Sequence, residues 1–206
     1  MTIENLNFAK ERPLIDLLNN DLSKLSDTCF DQNNLDLEIG TLIYDELSLR
    51  KSSSSKKILK DLLFKFSSVG HEPIKWLKDA RSVMKKIENV ETSPNYTNSI
   101  YTILRDGYTA QNQRYGVYVG QTSKTIEERF VEHKSGTKSG KGLEKHGIQL
   151  MRSLWLHGKV RGSKRLYYET KVHVTLEEVI PKVTGDIRED LLDDCECSEE
   201  DCIFPF

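Results

Sequence analysis

Tyr101, Tyr118, Arg129 and His133 carry the side chains best suited to chemistry in the middle of this chain. Glu169 and Glu189 come later as carboxylates, and a lysine- and glycine-rich stretch, Lys134 to Gly142, lies between. A guanidinium offers a planar fork that matches phosphate oxygens. A phenol or an imidazole can take up and return a proton. A carboxylate can hold a hard divalent cation through oxygen. Each residue also has an ordinary structural use: tyrosines favour strands, and a lone Arg or Glu is most often solvated surface. Whether they form a site depends on the elements that position them.

Ser99-Ile100-Tyr101-Thr102-Ile103-Leu104 is rich in β-branched and aromatic residues and reads as a strand. Tyr115-Gly116-Val117-Tyr118-Val119-Gly120 reads as a second, joined to the first through a long polar connection from Arg105 to Arg114. Thr125 precedes Glu128 by three, a capping-box spacing, so a helix should begin there and bury Ile126 and Phe130. Arg129 and His133, four apart, then project from one helical face. Ile148, Met151 and Trp155, with Leu150 and Leu154, form an apolar stripe that reads as a further helix closed near Gly158. From Arg165 to Val174 the chain alternates, with Leu166, Tyr168, Val172 and Val174 on one side and Tyr167, Glu169, Lys171 and His173 on the other. That predicts a third strand with a polar face. A last helix is expected from about Thr184 through Leu192 and would carry Glu189.

The first half repeats apolar residues at helical spacing. Leu14, Leu17, Leu18, Leu22 and Leu25 form one stripe behind Pro13, a residue suited to a first helical position. Ile39, Leu42, Ile43 and Leu47 form a second, and Leu59, Leu62, Leu63 and Phe66 a third after the polar break Ser52-Ser53-Ser54-Ser55. A fourth opens at Pro73. Lys56 with Lys60, and Lys78 with Arg81 and Lys85, each share a helix face, which fits either phosphate contacts or a solvated surface. Asn89 to Asn98, with Pro94, reads as a linker.

Composition narrows the classes. The 206 residues are 37% apolar and 30% charged, with a net charge of -2. The balance is uneven: Asp186 to Asp201 holds nine carboxylates and one arginine, so the rest of the chain has 29 basic against 23 acidic residues, a net +6. The chain is thus a basic body with an acidic C-terminal segment. No apolar run reaches the ~18 to 20 residues of a membrane span, and the start Met1-Thr2-Ile3-Glu4-Asn5 lacks the basic and apolar regions of a secretory signal. A cytoplasmic setting is therefore expected. Cys29, Cys195, Cys197 and Cys202 match no common zinc spacing and are expected to be reduced thiols.

Ser99-Ile100-Tyr101, then Tyr118-Val119-Gly120, then Arg129 and His133, resemble the GIY-YIG nuclease module, whose name records the two tripeptides on its first strands. The run Ile148 to Leu154 ending at His157-Gly158 is similar to the second helix of phage intron homing endonucleases of this family. Leu176 to Pro181 and Ile187-Arg188-Glu189 are similar to the stretch after that helix in the same enzymes. The resemblance covers roughly residues 97 to 195. It implies a three-stranded antiparallel sheet flanked by helices and a DNA phosphodiester hydrolase dependent on Mg²⁺ or Mn²⁺. It implies Arg129 on phosphate, and Tyr101 or Tyr118 as general base with a pKa lowered by nearby cations. His133 or His146 would relay a proton or bind phosphate, and Lys134, Lys138, Lys141 and His146 would contact substrate. The metal-holding carboxylate falls at Glu189, with Glu169 as its competitor and Glu177 and Glu178 as further candidates.

The expectation is an α+β protein: a helical region over residues 1–95, a GIY-YIG-like domain over 96–194 and an acidic tail over 195–206. It should act as a DNA endonuclease with DNA as partner and no membrane. The alternative is a nucleic-acid-binding or scaffolding protein on the same fold without catalysis.

Overall fold

In the computed structural model, which describes residues 6–31, 34–87, 90–107, 114–136, 140 and 142–193, the leucine stripes of the first half become four helices. These are α1 (Asn19–Cys29), α2 (Leu37–Leu49), α3 (Ser53–Ser68) and α4 (Leu77–Met84), with a short hairpin of β1 (Phe30–Asp31) and β2 (Asn34–Leu35) between the first two. By contacts the chain divides into two units, Met1–Ser82 and Val83–Phe206. Residues 90–98 of the expected linker belong to the second unit, where Thr92 and Asn98 each bridge to Val160.

Helix α2 is the centre of the first unit. Leu37, Ile39, Leu42, Ile43 and Leu47 are buried, and so are Glu38 and Thr41, so the helix is enclosed on nearly every side. Asp36 caps it by accepting from the Ile39 amide at 3.0 Å. Gly40 has a packing reason: a Cβ there would stand 3.0 Å from both Phe30 and Phe66, whose rings meet edge to face. Ser52 caps α3, so the serine run starts that helix as well as interrupting the pattern before it. The first helix begins at Asn19 and not near Pro13. The segment before it is turned, and Arg50 reaches the carbonyls of Leu14 and Ile15. Arg81 is buried and donates to the carbonyls of Phe8, Lys10 and Glu11. It therefore does not share an outward phosphate-facing surface with Lys78 and Lys85.

The second unit is built on a four-stranded mixed sheet in the order β5-β3-β4-β6. Strand β3 (Ser99–Arg105) pairs antiparallel with β4 (Gly116–Thr122) along its whole length, as expected for the first two strands. The rest of the sheet differs from the expected three antiparallel strands. Gly147–Leu150, read as helix from its apolar spacing, is edge strand β5, and a one-turn 3-10 helix at Arg152–Leu154 comes after it. Val183–Thr184 is a short strand, β6, parallel to β4, and the expected last helix shrinks to α8 (Asp190–Asp193). Between strands lie α5 (Ile126–Lys134), α6 (Leu143–His146) and α7 (Arg165–Glu177). The capping box at Thr125 and Glu128 is formed on both sides.

The expected third strand at Arg165–Val174 is α7. Its buried residues are Tyr168, Glu169, Thr170, Val172, His173 and Leu176, a helical recurrence. The alternation misled because three of those inward residues are polar and because Val and Thr favour strands in isolation; packing against β3, β4 and β6 overrides that preference. The α+β class stands. Among the described residues no helix is long and apolar enough to cross a membrane.

Candidate active site

Directly opposed residues of an antiparallel pair share a face. Tyr118 lies opposite Ile103, and Tyr101 lies two residues before Ile103 on β3, so both tyrosines rise from one side of the sheet. Gly120 faces Tyr101. A Cβ there would lie 2.7 Å from Cε1 of Tyr118 and 2.8 Å from Oη of Tyr101, so glycine is what admits the two rings. Gly140 closes the other side, since its Cβ would meet Tyr118 Cε2 at 2.8 Å. Ile126 and Phe130 of α5 pack against Tyr101, Ile103 and Leu143, which fixes α5 over this face.

That seating brings His133 down onto the tyrosines. Its Nε2 is 2.8 Å from Oη of Tyr101, and its ring meets Tyr118 edge-on with centroids 5.3 Å apart. The Gly140 amide donates to Nδ1 at 3.0 Å, so the neutral ring keeps its proton on Nε2 and donates it to the Tyr101 oxygen. Burial, reinforced by the Arg129 charge, lowers the His133 pKa to about 4. At neutral pH His133 is a fixed N–H donor and not a cation that binds phosphate.

Arg129, one turn before His133, forms an ion pair with Glu132 at 2.9 Å, and Glu132 also binds Lys124. Its charge and a hydrogen bond act on Tyr101. These cations do not lower the tyrosine pKa values as the residue types suggested. Burial is the largest influence, and it pushes Tyr101 far up and Tyr118 up to about 12, with Arg129 only opposing the rise. Both side chains are phenols at neutral pH.

Glu169 lies on the buried side of α7. It is 3% exposed, and its charge acts on both tyrosines. Burial and the neighbouring Asp186 raise its pKa to about 8, while Arg165 pulls the other way. Among the described residues nothing hydrogen-bonds its carboxyl. Glu189 is exposed just before α8, and the main charges acting on the tyrosines are those of Arg129, Glu169 and Asp186. The structure gathers Tyr101, Tyr118, Arg129 and His133, as the family resemblance implied, and the carboxylates whose charges reach the tyrosines are Glu169 and Asp186, where Glu189 was expected. Glu169 was the competing carboxylate in the sequence, set on the polar face of an expected strand; the helix instead buries it.

The remaining candidates sit elsewhere. Lys134 commits its ammonium to the carbonyls of Glu144 and Gly147, at 3.0 and 2.8 Å, tying the end of α5 to the start of β5. His146 holds Asp106 through Nδ1 at 3.0 Å, beyond the far end of β3 from the tyrosines. Its ring rests against Gly107, whose φ of +94° and 2.9 Å Cβ approach leave no room for a side chain. Lys138 and Lys141 lie outside the described residues, as do Cys195, Cys197 and Cys202. Cys29 is buried and free. Arg105, read as the start of a polar loop, is instead a buried strand residue that donates to Thr184.

No protein-family model, curated protein or solved structure matches this chain.

Proposed function

We propose that the second unit is a divalent-metal-dependent endonuclease acting on DNA, with a GIY-YIG-type site. One observation carries this reading: a buried carboxyl with no hydrogen bond among the described residues, opposed only by the charge of Arg165, acts on two tyrosines that stand with an arginine and a histidine already linked to each other. A carboxyl removed from water without a partner costs several kcal/mol in order of magnitude unless it takes a proton or a cation.

A hard dication fits that demand. Mg²⁺ keeps most of its waters and needs only one or two protein carboxylates, so Glu169 alone, with Asp186 nearby, is a sufficient donor set. Among the described residues there is no cluster of three or more His, Cys, Asp or Glu that would suit a tightly caged metal. Glu169 here takes the place the family resemblance gave to Glu189. The bound cation would supply positive charge against the phosphate and lower the proton affinity of groups beside it.

The side chains of the chain divide the remaining work. Arg129, oriented by Glu132 and Tyr101, presents its fork to a non-bridging phosphate oxygen. Tyr118 is half-buried while Tyr101 is fully buried, so Tyr118 is the phenol a substrate can reach. As a phenolate it takes the proton of the attacking water; as a phenol it donates to phosphate. Tyr101 and His133 act through position: the Gly140–His133–Tyr101 chain of hydrogen bonds fixes the wall against which Tyr118 stands.

The test is nicking of supercoiled DNA by the full chain with and without Mg²⁺. Tyr118→Phe and Glu169→Gln are expected to lose cleavage by roughly two orders of magnitude or more, and Glu189→Gln to keep it. A dead Glu189→Gln beside an active Glu169→Gln would return the carboxylate role to Glu189. Absence of metal-dependent cleavage in the wild type, with DNA binding intact, would leave the non-catalytic nucleic-acid-binding alternative.

A further inference from the structure

Helix α3 turns Leu62 and Phe66 inward and leaves Phe64 71% and Leu63 42% exposed. On the same outward side stand Lys56, Lys57 and Lys60. Phe64 lies four residues after Lys60 and seven after Lys57, and Leu63 seven after Lys56, so these five residues share one helical face. The nearest acid on the helix, Asp61, is engaged by Lys65, which also pairs with Asp27. Among the described residues the ammonium groups of the three outward lysines make no ion pair or hydrogen bond, so the face is strongly positive with one large aromatic ring at its C-terminal end.

We propose that this face of α3 binds an unpaired nucleic-acid strand, with Phe64 stacking on a base and Lys56, Lys57 and Lys60 holding phosphates. Lys56 and Lys60 stand one turn apart, about 6 Å along the axis, which suits successive contacts along a backbone. An exposed ring beside cations is the arrangement that holds single strands without sequence preference. A duplex keeps its bases stacked internally and offers Phe64 no face. An anionic membrane is the poorer fit, because the true apolar side of α3 is buried within its own unit and only Leu63 and Phe64 remain to enter an interface. The proposal deepens the nucleic-acid reading but uses no residue of the tyrosine site, so the two fail separately.

The experiment uses the full chain carrying Glu169→Gln, in EDTA, with fluorescent oligothymidylate and a duplex of equal length. Phe64→Ala should weaken the single-strand complex roughly tenfold and leave duplex affinity and the salt slope unchanged. Phe64→Trp should restore binding. Charge reversal of Lys56, Lys57 and Lys60 should flatten the single-strand salt slope by about 2. All five residues are exposed, and unchanged melting temperatures would show that the variants fold. The proposal is overturned if Phe64→Ala leaves single-strand affinity unchanged, or weakens single strand and duplex alike. It is equally overturned if the losses appear on phosphatidylserine vesicles and not on the oligonucleotide. Because binding is read without metal, the outcome is independent of whether the wild type cleaves.

Discussion

Glu169 is the residue whose protonation sets the behaviour of the site. Its folded-state pKa is raised to about 8 from an ordinary value of 4.5. Its contribution to stability is therefore fully present below about pH 4.5 and is lost as pH rises through about 8. Glu169→Gln removes that loss. The variant should be more stable than the wild type at neutral pH, on the order of 3 kcal/mol at pH 7, and the difference should vanish near pH 4. Denaturant melts across that range measure it; a constant difference would mean that the carboxyl is not held protonated. Magnesium should raise the melting temperature of the wild type near pH 7 and release a proton as it binds. Glu169→Gln should show neither effect. His133 has the opposite sign: with a pKa depressed to about 4, its contribution is present above about 6.5 and lost as pH falls through 4.

Two short features hold the elements that carry the site. The capping box of α5 sets where Arg129 and His133 fall on the helix, since the Glu128 amide bonds the Thr125 side chain while the Glu128 carboxylate reaches back to the Thr125 amide. Thr125→Ala should cost about 1 kcal/mol and reduce cleavage without touching a substrate group. On β4, Gly120→Ala would place a methyl within 2.8 Å of both tyrosines in a site that α5 already closes. It should destabilise the unit by about 1 to 3 kcal/mol and abolish activity in the fraction that remains folded. Retained activity with an unshifted melt would show that the tyrosine rings stand elsewhere. The elements that local pattern misplaced lie outside this pair. β5 starts at Gly147, where the backbone becomes extended (φ -69°, ψ 124°) as the chain leaves α6 and pairs with β3; a Cβ there would meet the Leu143 carbonyl at 2.7 Å.

Charge belongs to the whole chain. The residues other than Asp186 to Asp201 carry a net +6, and the segment itself has nine carboxylates against one arginine. An acidic stretch attached to a basic body competes with phosphate for the same cations. Removing residues 195–206 should tighten DNA binding, most at low salt where the Debye length exceeds ~10 Å. Titrations with DNA at two ionic strengths test this, and equal affinity at low salt would overturn it.

The helical first half, the β3–β4 pair, the α5 cap and the face shared by Arg129 and His133 are all legible in the chain before it folds. Each rests on local rules of period, capping and strand composition that need no distant partner. Resemblance to the GIY-YIG module pointed to Tyr101, Tyr118, Arg129 and His133 together. The identity of the carboxylate beside them depended on packing. Arg165 to Val174 satisfies a strand alternation and a helical period at once, and only the sheet available to bury Tyr168, Val172 and Leu176 selects the helix. That choice rotates Glu169 from solvent into the protein and leaves Glu189 exposed. The tyrosine pKa values were decided at the same level: residue types near Tyr101 and Tyr118 suggest cations and a lowered pKa, while the depth of burial, which no local pattern encodes, raises both.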